Sequence, residues 1–362
     1  MAFGVYVHIP FCGHRCDYCA FATWTDRHHL MAAYAAACRD EARRHAATWP
    51  GPATSVYVGG GTPSLLPPDL LADVLDAIPR APGAETTVEC NPETVSTSLL
   101  SAYRAGGVTR LSFGVQSLVP HVLAGLGRRH TPGQVERAVA FAAEAGFAGR
   151  YSVDLIYGAA GESKHDWAAS LDGVLGLDPP PLHVSAYALT VEPGTPLARD
   201  RARYPDDDDQ ADKYLYADRV LSSAGLEWYE LSNWARPGHA CRHNQLYWSQ
   251  GNYAGIGCAA HSHRDGRRWW NVRTPERFIE AVARGRSPVA GQEDLDEVGR
   301  ASERLVLGLR TRDGVPAEAL PWAPELEGLV SWEGTRAVLT PRGRILANEV
   351  AIRLEMSSAV VL

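Results

Sequence analysis

Short apolar runs that alternate with amphipathic stretches constrain this chain more than any other feature. The runs are VYVH (5–8), SVYV (55–58), TTVEC (86–90), RLSFGV (110–115), RYSVDLIY (150–157) and HVSAYAL (183–189). Helical patterns fill the gaps, for example over 134–146 and 166–177. Strands separated by helices at roughly 30-residue spacing imply βαβ units and a parallel sheet, hence an α/β protein. Six units suit a three-quarter barrel better than a closed eight-fold one, and a doubly wound sheet stays open until the motifs are weighed. In such folds chemistry gathers at the carboxyl ends of strands. His8, the glycines at 59–61, Glu89, Gln116 and Asp154 all fall there.

The 362 residues allow two domains, or one large barrel with an appendage. Hydrophobic residues at 45% and charged residues at 21% fit a soluble globular chain. A net charge of -7 argues against nucleic acid as a partner. No charged segment followed by an apolar stretch opens the chain, and no apolar run is long enough to span a bilayer. Seven cysteines without an export signal then read as reduced thiols or metal ligands in a cytoplasmic protein.

Three divisions are expected: a core barrel over 1–232, a connecting segment over 233–299, and a small α+β module of winged-helix-like character over 300–362. The segment 232–275 is rich in Trp, His, Gly and Asn and shows little periodicity. The last module reads as a helix near 301–310, a turn at Asp313–Gly314, a hairpin in WEGTRAVLT and a final helix. Its eight arginines are matched by eight acidic residues, which opposes a nucleic-acid-binding wing. The acidic run 206–209 reads as a solvated helix start.

Cys12, Cys16 and Cys19 lie within FCGHRCDYC. Thiolates this close cannot all reach one atom from a regular strand or helix, so a loop must wrap around what they hold. Four ligands would suit zinc or a complete iron–sulfur site. Three on a [4Fe–4S] cluster leave one iron open to another ligand.

The C-x3-C-x2-C spacing, with Tyr18 before the last cysteine, resembles the signature of the radical S-adenosylmethionine (SAM) superfamily. The resemblance implies a partial (β/α)6 TIM-like barrel and a [4Fe–4S] cluster on Cys12, Cys16 and Cys19. It also implies SAM chelated at the open iron and cleaved by one electron. GGGTPS (59–64) resembles the loop that receives the SAM amino group, which brings in Gly60, Gly61 and Thr62. Glu89 resembles the acid that holds the ribose. Gln116, Arg128, Asp154 and Ala188 resemble further SAM contacts, and Tyr6 a side chain packed by the cluster.

HIPFC, GGGTPS, FGVQS, DLIYG and SAYALTVEPGT together resemble the oxygen-independent coproporphyrinogen III oxidase group. That group holds oxidases, heme chaperones and methyltransferases. Oxidases of the group usually carry a fourth cysteine where this chain has Phe21, and a longer segment before the cluster loop. Both departures resemble the heme-chaperone branch. HNQLYW (243–248) matches an H-N-x-x-Y-W motif of that branch, in which the histidine, here His243, is tied to heme. The resemblance thus implies heme, a recipient hemoprotein such as a membrane respiratory complex, and no nucleic acid; a homodimer and peripheral membrane contact are compatible with it. Oxidative decarboxylation of coproporphyrinogen III and SAM-dependent methyl transfer are the rival readings. Cys38, Cys90, Cys241 and Cys258 are expected to be buried bystanders, and Trp269–Trp270 packing residues.

Overall fold

The computed structural model describes residues 2–355. Each apolar run becomes a strand: β1 Phe3–Ile9, β2 Ala53–Gly60, β3 Arg80–Cys90, β4 Arg110–Gln116, β5 Tyr151–Tyr157 and β6 His183–Ala188. They pair in parallel and in sequential order. Strands covered on both faces are expected to be apolar nearly throughout, and six of the seven β1 residues are buried. The intervening helices are α1 Met31–Ala46, α2 Pro68–Asp76, α3 Thr97–Ala105, α4 Pro120–Gly125, α5 Pro132–Glu144 and α6 Lys164–Leu175. Local chemistry sets their starts. Thr131 with Gln134, and Ser163 with Asp166, form capping boxes at α5 and α6.

The acidic run at 206–209 does begin a helix, α7 Asp207–Ser223. The Asp206 side chain accepts from the Asp209 amide, and acidic groups favour a helix amino terminus. Asp209 also pairs at 2.7 Å with the buried Lys213, so this start is not wholly solvated.

The segment 233–299, expected to be a connection, extends the sheet at both ends. Beyond β6, β8 Asn233–Ala235 pairs antiparallel, with β7 Glu227–Glu230 from just before the segment on its outer side. The chain then crosses through α8 Arg242–Trp248, and β9 Asn252–Ile256 pairs in parallel with β1. β10 His261–Arg264 and β11 Arg267–Asn271 follow as a hairpin, then α9 Pro275–Ala283 and the edge strand β12 Val289–Asp294. The result is one twelve-stranded sheet whose outer strands, β12 and β7, do not pair. The barrel therefore stays open, as a six-unit count requires.

The remaining residues form α10 Glu297–Leu309, β13 Val315–Pro316, β14 Val330–Glu333, β15 Arg336–Leu339, α11 Pro341–Ile345 and α12 Ala347–Ala351. The three strands make a separate antiparallel sheet over a core that includes Leu305, Leu309, Leu339 and Val350. Arg344 fastens this unit to the barrel, with both terminal nitrogens 2.8 Å from Asp218 of α7 and the guanidinium 4.3 Å from the Trp228 ring centre.

Candidate cluster and nucleoside site

The loop between β1 and α1 is closed at its neck by backbone pairing. The Cys12 amide donates to Trp24 O at 3.0 Å and the Trp24 amide to Pro10 O at 2.7 Å. Cys12, Cys16 and Cys19 from this loop line one cavity of about 650 Å3 at the carboxyl ends of the strands. Burial pushes the Cys12 thiol up to about 11, against a hydrogen bond from Thr62, and also raises Cys19. Thiolates held this way need positive charge nearby, and a metal cluster supplies it. Among the described residues no three His, Cys, Asp or Glu side chains converge on a single-ion site. A cubane offers a different iron to each thiolate, so ligands spread round a cavity fit it.

The second loop covers the same cavity. Gly60 has φ +108°, a conformation that side chains rarely adopt, and a Cβ there would meet the His8 ring at 2.5 Å. A Cβ on Gly61 would lie 2.6 Å from Phe11 O and 3.1 Å from Cys12 Sγ. The backbone can thus lie against the cysteine loop only if both positions are glycine. Beneath it, Glu89 accepts from Tyr57 OH at 2.9 Å and from the Gly60 amide at 3.1 Å. Burial, with the Asp154 charge second, raises its carboxyl to about 7.

Thr62, Gln116, Arg128, Asp154 and Ala188 also line this cavity. Gln116 takes a left-handed φ of 64°, the kind of strain that functional sites hold. Asp154 accepts from Ser112 Oγ at 2.9 Å, and burial raises its pKa against the hydrogen bonds of Ser185 and Ser112. Arg128 donates to Cys16 Sγ, Asn91 Oδ1 and Gly114 O. The structure brings all these residues together with the cysteines. Tyr6 stands apart. It lies one turn of the pleat below His8 on β1, bonds His8 Nδ1 at 3.0 Å, and faces two other cavities.

His243 is further away still. It sits at the level of Gly4 and Ser55, at the amino ends of β1 and β2, and is 1% exposed. Nδ1 meets Ser55 Oγ at 3.0 Å, Nε2 meets Tyr247 OH at 2.9 Å, and the ring stacks on Tyr57 at 5.6 Å. Burial lowers its pKa to about 3. Both ring nitrogens of His243 are thus engaged by neighbouring hydroxyls in this structure. The neighbouring Asn244 binds Tyr229 OH and Glu230, each at 3.2 Å. Cys38, Cys90, Cys241 and Cys258 are buried outside the cysteine loop, and only Cys90 touches the cavity.

Asn91 and Tyr57 are site residues that the sequence reading passed over. Asn91 follows Glu89 within VECNPE, so its nearness to the acid was the one available signal.

An open six-stranded parallel barrel, three thiols in its first loop and a glycine-rich second loop over a buried acid together define a radical SAM protein. The family profile for the radical SAM superfamily matches residues 6–173. More narrowly, the chain belongs to the HemW family: it is 44% identical to "Heme chaperone HemW" of Mycobacterium tuberculosis, over 96% of this chain and 93% of that one. The protein of the same name in Escherichia coli is 34% identical over 86% of this chain and 83% of its own. Among solved structures, the coproporphyrinogen III oxidase HemN from Escherichia coli superposes with a TM-score of 0.83, covering 97% of this chain and 89% of that one at 20% identity. That likeness establishes the shared fold. Membership in the superfamily brings a [4Fe–4S] cluster and SAM, and the thiols, the glycine loop and the buried acid fit both.

Proposed function

We propose that this protein binds heme and delivers it to a recipient hemoprotein, a respiratory one, while holding a SAM-bound [4Fe–4S] cluster. The carrying observation is 44% and 34% identity, over 96% and 86% of this chain, with proteins named heme chaperone HemW. When bound, the cluster and SAM supply one-electron reductive cleavage of the sulfonium. The chain's own residues have simpler tasks. Cys12, Cys16 and Cys19 hold the cluster, Gly60, Gly61 and Thr62 receive the amino end of SAM, and Glu89 accepts from the ribose. Gln116, Arg128, Asp154 and Ala188 complete that lining. His243, in the H-N-x-x-Y-W motif at the start of α8, is the residue this reading ties to heme. No described helix is long and apolar enough to cross a membrane, so contact with a membrane-bound recipient is peripheral in this reading.

The test is twofold, on anaerobically reconstituted protein. Hemin is titrated and followed by absorbance, and coproporphyrinogen III is incubated with SAM and a reductant. Stoichiometric hemin binding without formation of protoporphyrinogen IX supports the chaperone. Turnover of coproporphyrinogen III overturns it in favour of the oxidase.

A further inference from the structure

Lys213 of α7 is one of only two lysines among 35 basic residues, and it is 1% exposed. Its ammonium group has an acceptor for each of its three hydrogens. Nζ lies 2.8 Å from Glu162 O, 3.0 Å from Glu162 Oε2 and 2.7 Å from Asp209 Oδ2. A guanidinium would bring five donors in one plane, more than these acceptors can serve. The Glu162 side chain is fully buried, and its Oε2 also accepts from the Gly158 amide at 2.7 Å. One turn earlier on α7, Gln210 Nε2 donates to Leu189 O at 2.9 Å. Residues three apart share a helix face, so one face of α7 grips two loops. Those loops follow β5 and β6, and the Leu189 amide joins them by donating to Tyr157 O at 2.8 Å. Gly158 has φ +87°, and a Cβ there would meet Gln210 Nε2 at 2.5 Å, so α7 can come this close only to a glycine.

We infer that Lys213, acting through Glu162 and together with Gln210, is a positioning residue for SAM. The inference rests on SAM occupying the cluster cavity. Lys213 does not line that cavity, but Ile156, Ala188, Leu189, Thr190 and Glu192, at the gripped strand ends, do. The place of that wall depends on where α7 holds Gly158 and Leu189. Stability alone does not account for the ion pair. Two charges buried in a protein interior give up their hydration, and apolar residues of like volume often serve a fold equally well. Glu162 Oε1 has no hydrogen-bond partner among the described residues, which is a further cost. An apolar pair could not supply the directed bonds that Glu162 makes, one from the Gly158 amide and one from Lys213. The charged pair gives direction where apolar packing gives only volume.

Full-length, cluster-loaded protein tests this with two variants, Lys213→Met/Glu162→Leu and Gln210→Met. The first removes both charges together, and the Asp209 carboxylate that remains is partly open to water. The second leaves the ion pair whole and frees only Leu189 O. SAM affinity is measured by calorimetry and by the SAM concentration that half-changes the electron paramagnetic resonance signal of the reduced cluster. Bound iron and sulfide are counted on the same preparations. The double variant is expected to bind SAM about ten-fold more weakly and Gln210→Met about three-fold, with iron and sulfide as in the wild type. Wild-type SAM affinity in both variants would overturn the positioning role and leave the ion pair a purely structural one. If the double variant loads less iron, Gln210→Met decides alone, by the same two outcomes. Failure of the loaded wild type to bind SAM would instead take SAM out of the cavity, and the positioning role with it.

Discussion

Arg128 Nη1 stands 3.6 Å from Cys16 Sγ, and its other terminal nitrogen starts a chain that ends on Cys12. Nη2 donates to Asn91 Oδ1 at 2.8 Å, Asn91 Nδ2 to Thr62 Oγ1 at 3.1 Å, and Thr62 Oγ1 to Cys12 Sγ at 3.7 Å. Two cluster cysteines are thus joined through the residue that follows β3, the glycine loop and one buried cation. Arg128→Met removes a positive charge beside a thiolate, so the cluster becomes harder to reduce. It also strands two buried acceptors, at about 1–3 kcal/mol each. Potentiometry followed by electron paramagnetic resonance should find a lower cluster potential in Arg128→Met and a partial return in Arg128→Lys. Equal potentials in all three would show that the contact does not tune the cluster.

Replacing the loop cysteines separates ligands from bystanders. A buried cysteine packs as a small apolar group, so Ala substitution at any one costs little packing. Cys12→Ala, Cys16→Ala and Cys19→Ala should each lose most bound iron and sulfide after reconstitution. Cys38→Ala and Cys258→Ala should keep both. Iron and sulfide analysis decides; full loading of any loop variant would remove that residue from the ligand set.

Glu89 gives the nucleoside site a pH dependence. Its carboxyl is raised to about 7 by burial and then by Asp154, so near neutral pH it is part protonated. Only the ionised form offers both oxygens to the hydroxyls of a ribose. SAM affinity should therefore rise as pH increases from about 6 to about 8. Calorimetric titration should find that rise in the wild type and not in Glu89→Gln, which should also bind SAM more weakly. A wild-type affinity that does not change across this range would take Glu89 out of the ribose role.

Phe21 is a large apolar side chain left mostly in water, at the seam of two cavities. Phe21→Ala should leave stability within about 0.5 kcal/mol, as exposed substitutions do. It should nevertheless weaken SAM binding, because an aromatic wall of the cluster cavity is lost. Urea unfolding and calorimetric SAM titration measured on the same preparation test both halves. Unchanged SAM affinity would show that Phe21 does not wall the SAM site.

The six parallel strands were legible because each carries a run buried on both faces, as in all but one residue of β5, which demands apolar stretches such as RYSVDLIY. The cysteine ligand set was legible because all three lie within eight residues. Between residues 233 and 299 the strands were missed for a physical reason, whereas the helix and hairpin expected beyond 300 appear as α10 and β14–β15. β8 has three residues and β9 five, too short for a period, and their partners β6 and β1 lie far away in sequence. Asn91 and Tyr57 were hidden similarly, since their roles come from strands converging at one end of the barrel. His243 carried a motif that pointed to heme. Nothing in that motif reveals that Ser55 and Tyr247 occupy both ring nitrogens.

Glu41 makes stability fall with pH on the far side of the barrel wall. It lies in α1, 3% exposed, and accepts from the Gly257 amide at 2.9 Å and from Asn271 Nδ2 at 3.0 Å. Burial outweighs both hydrogen bonds and raises its pKa from 4.5 to about 8. The folded state therefore keeps a proton that the unfolded chain has already released. Stability contributed in this way is complete below the unfolded value and declines as pH rises to the folded one, by about 1.4 kcal/mol for each unit of separation. Glu89 contributes a similar decline, but only up to about 7. Asp154, Glu162 and Glu230 are also raised while His8, His130, His183 and His243 are lowered, so the share of Glu41 is the difference between wild type and Glu41→Gln. Glu41→Gln cannot ionise, and it keeps only one acceptor for two donors. It should be less stable than the wild type at pH 6, and the gap should narrow as pH rises to 8. Urea unfolding at several pH values is the measurement. A gap between wild type and variant that does not narrow from pH 6 to 8 would mean that Glu41 is ionised in the folded protein, its charge held by the two donors that face it.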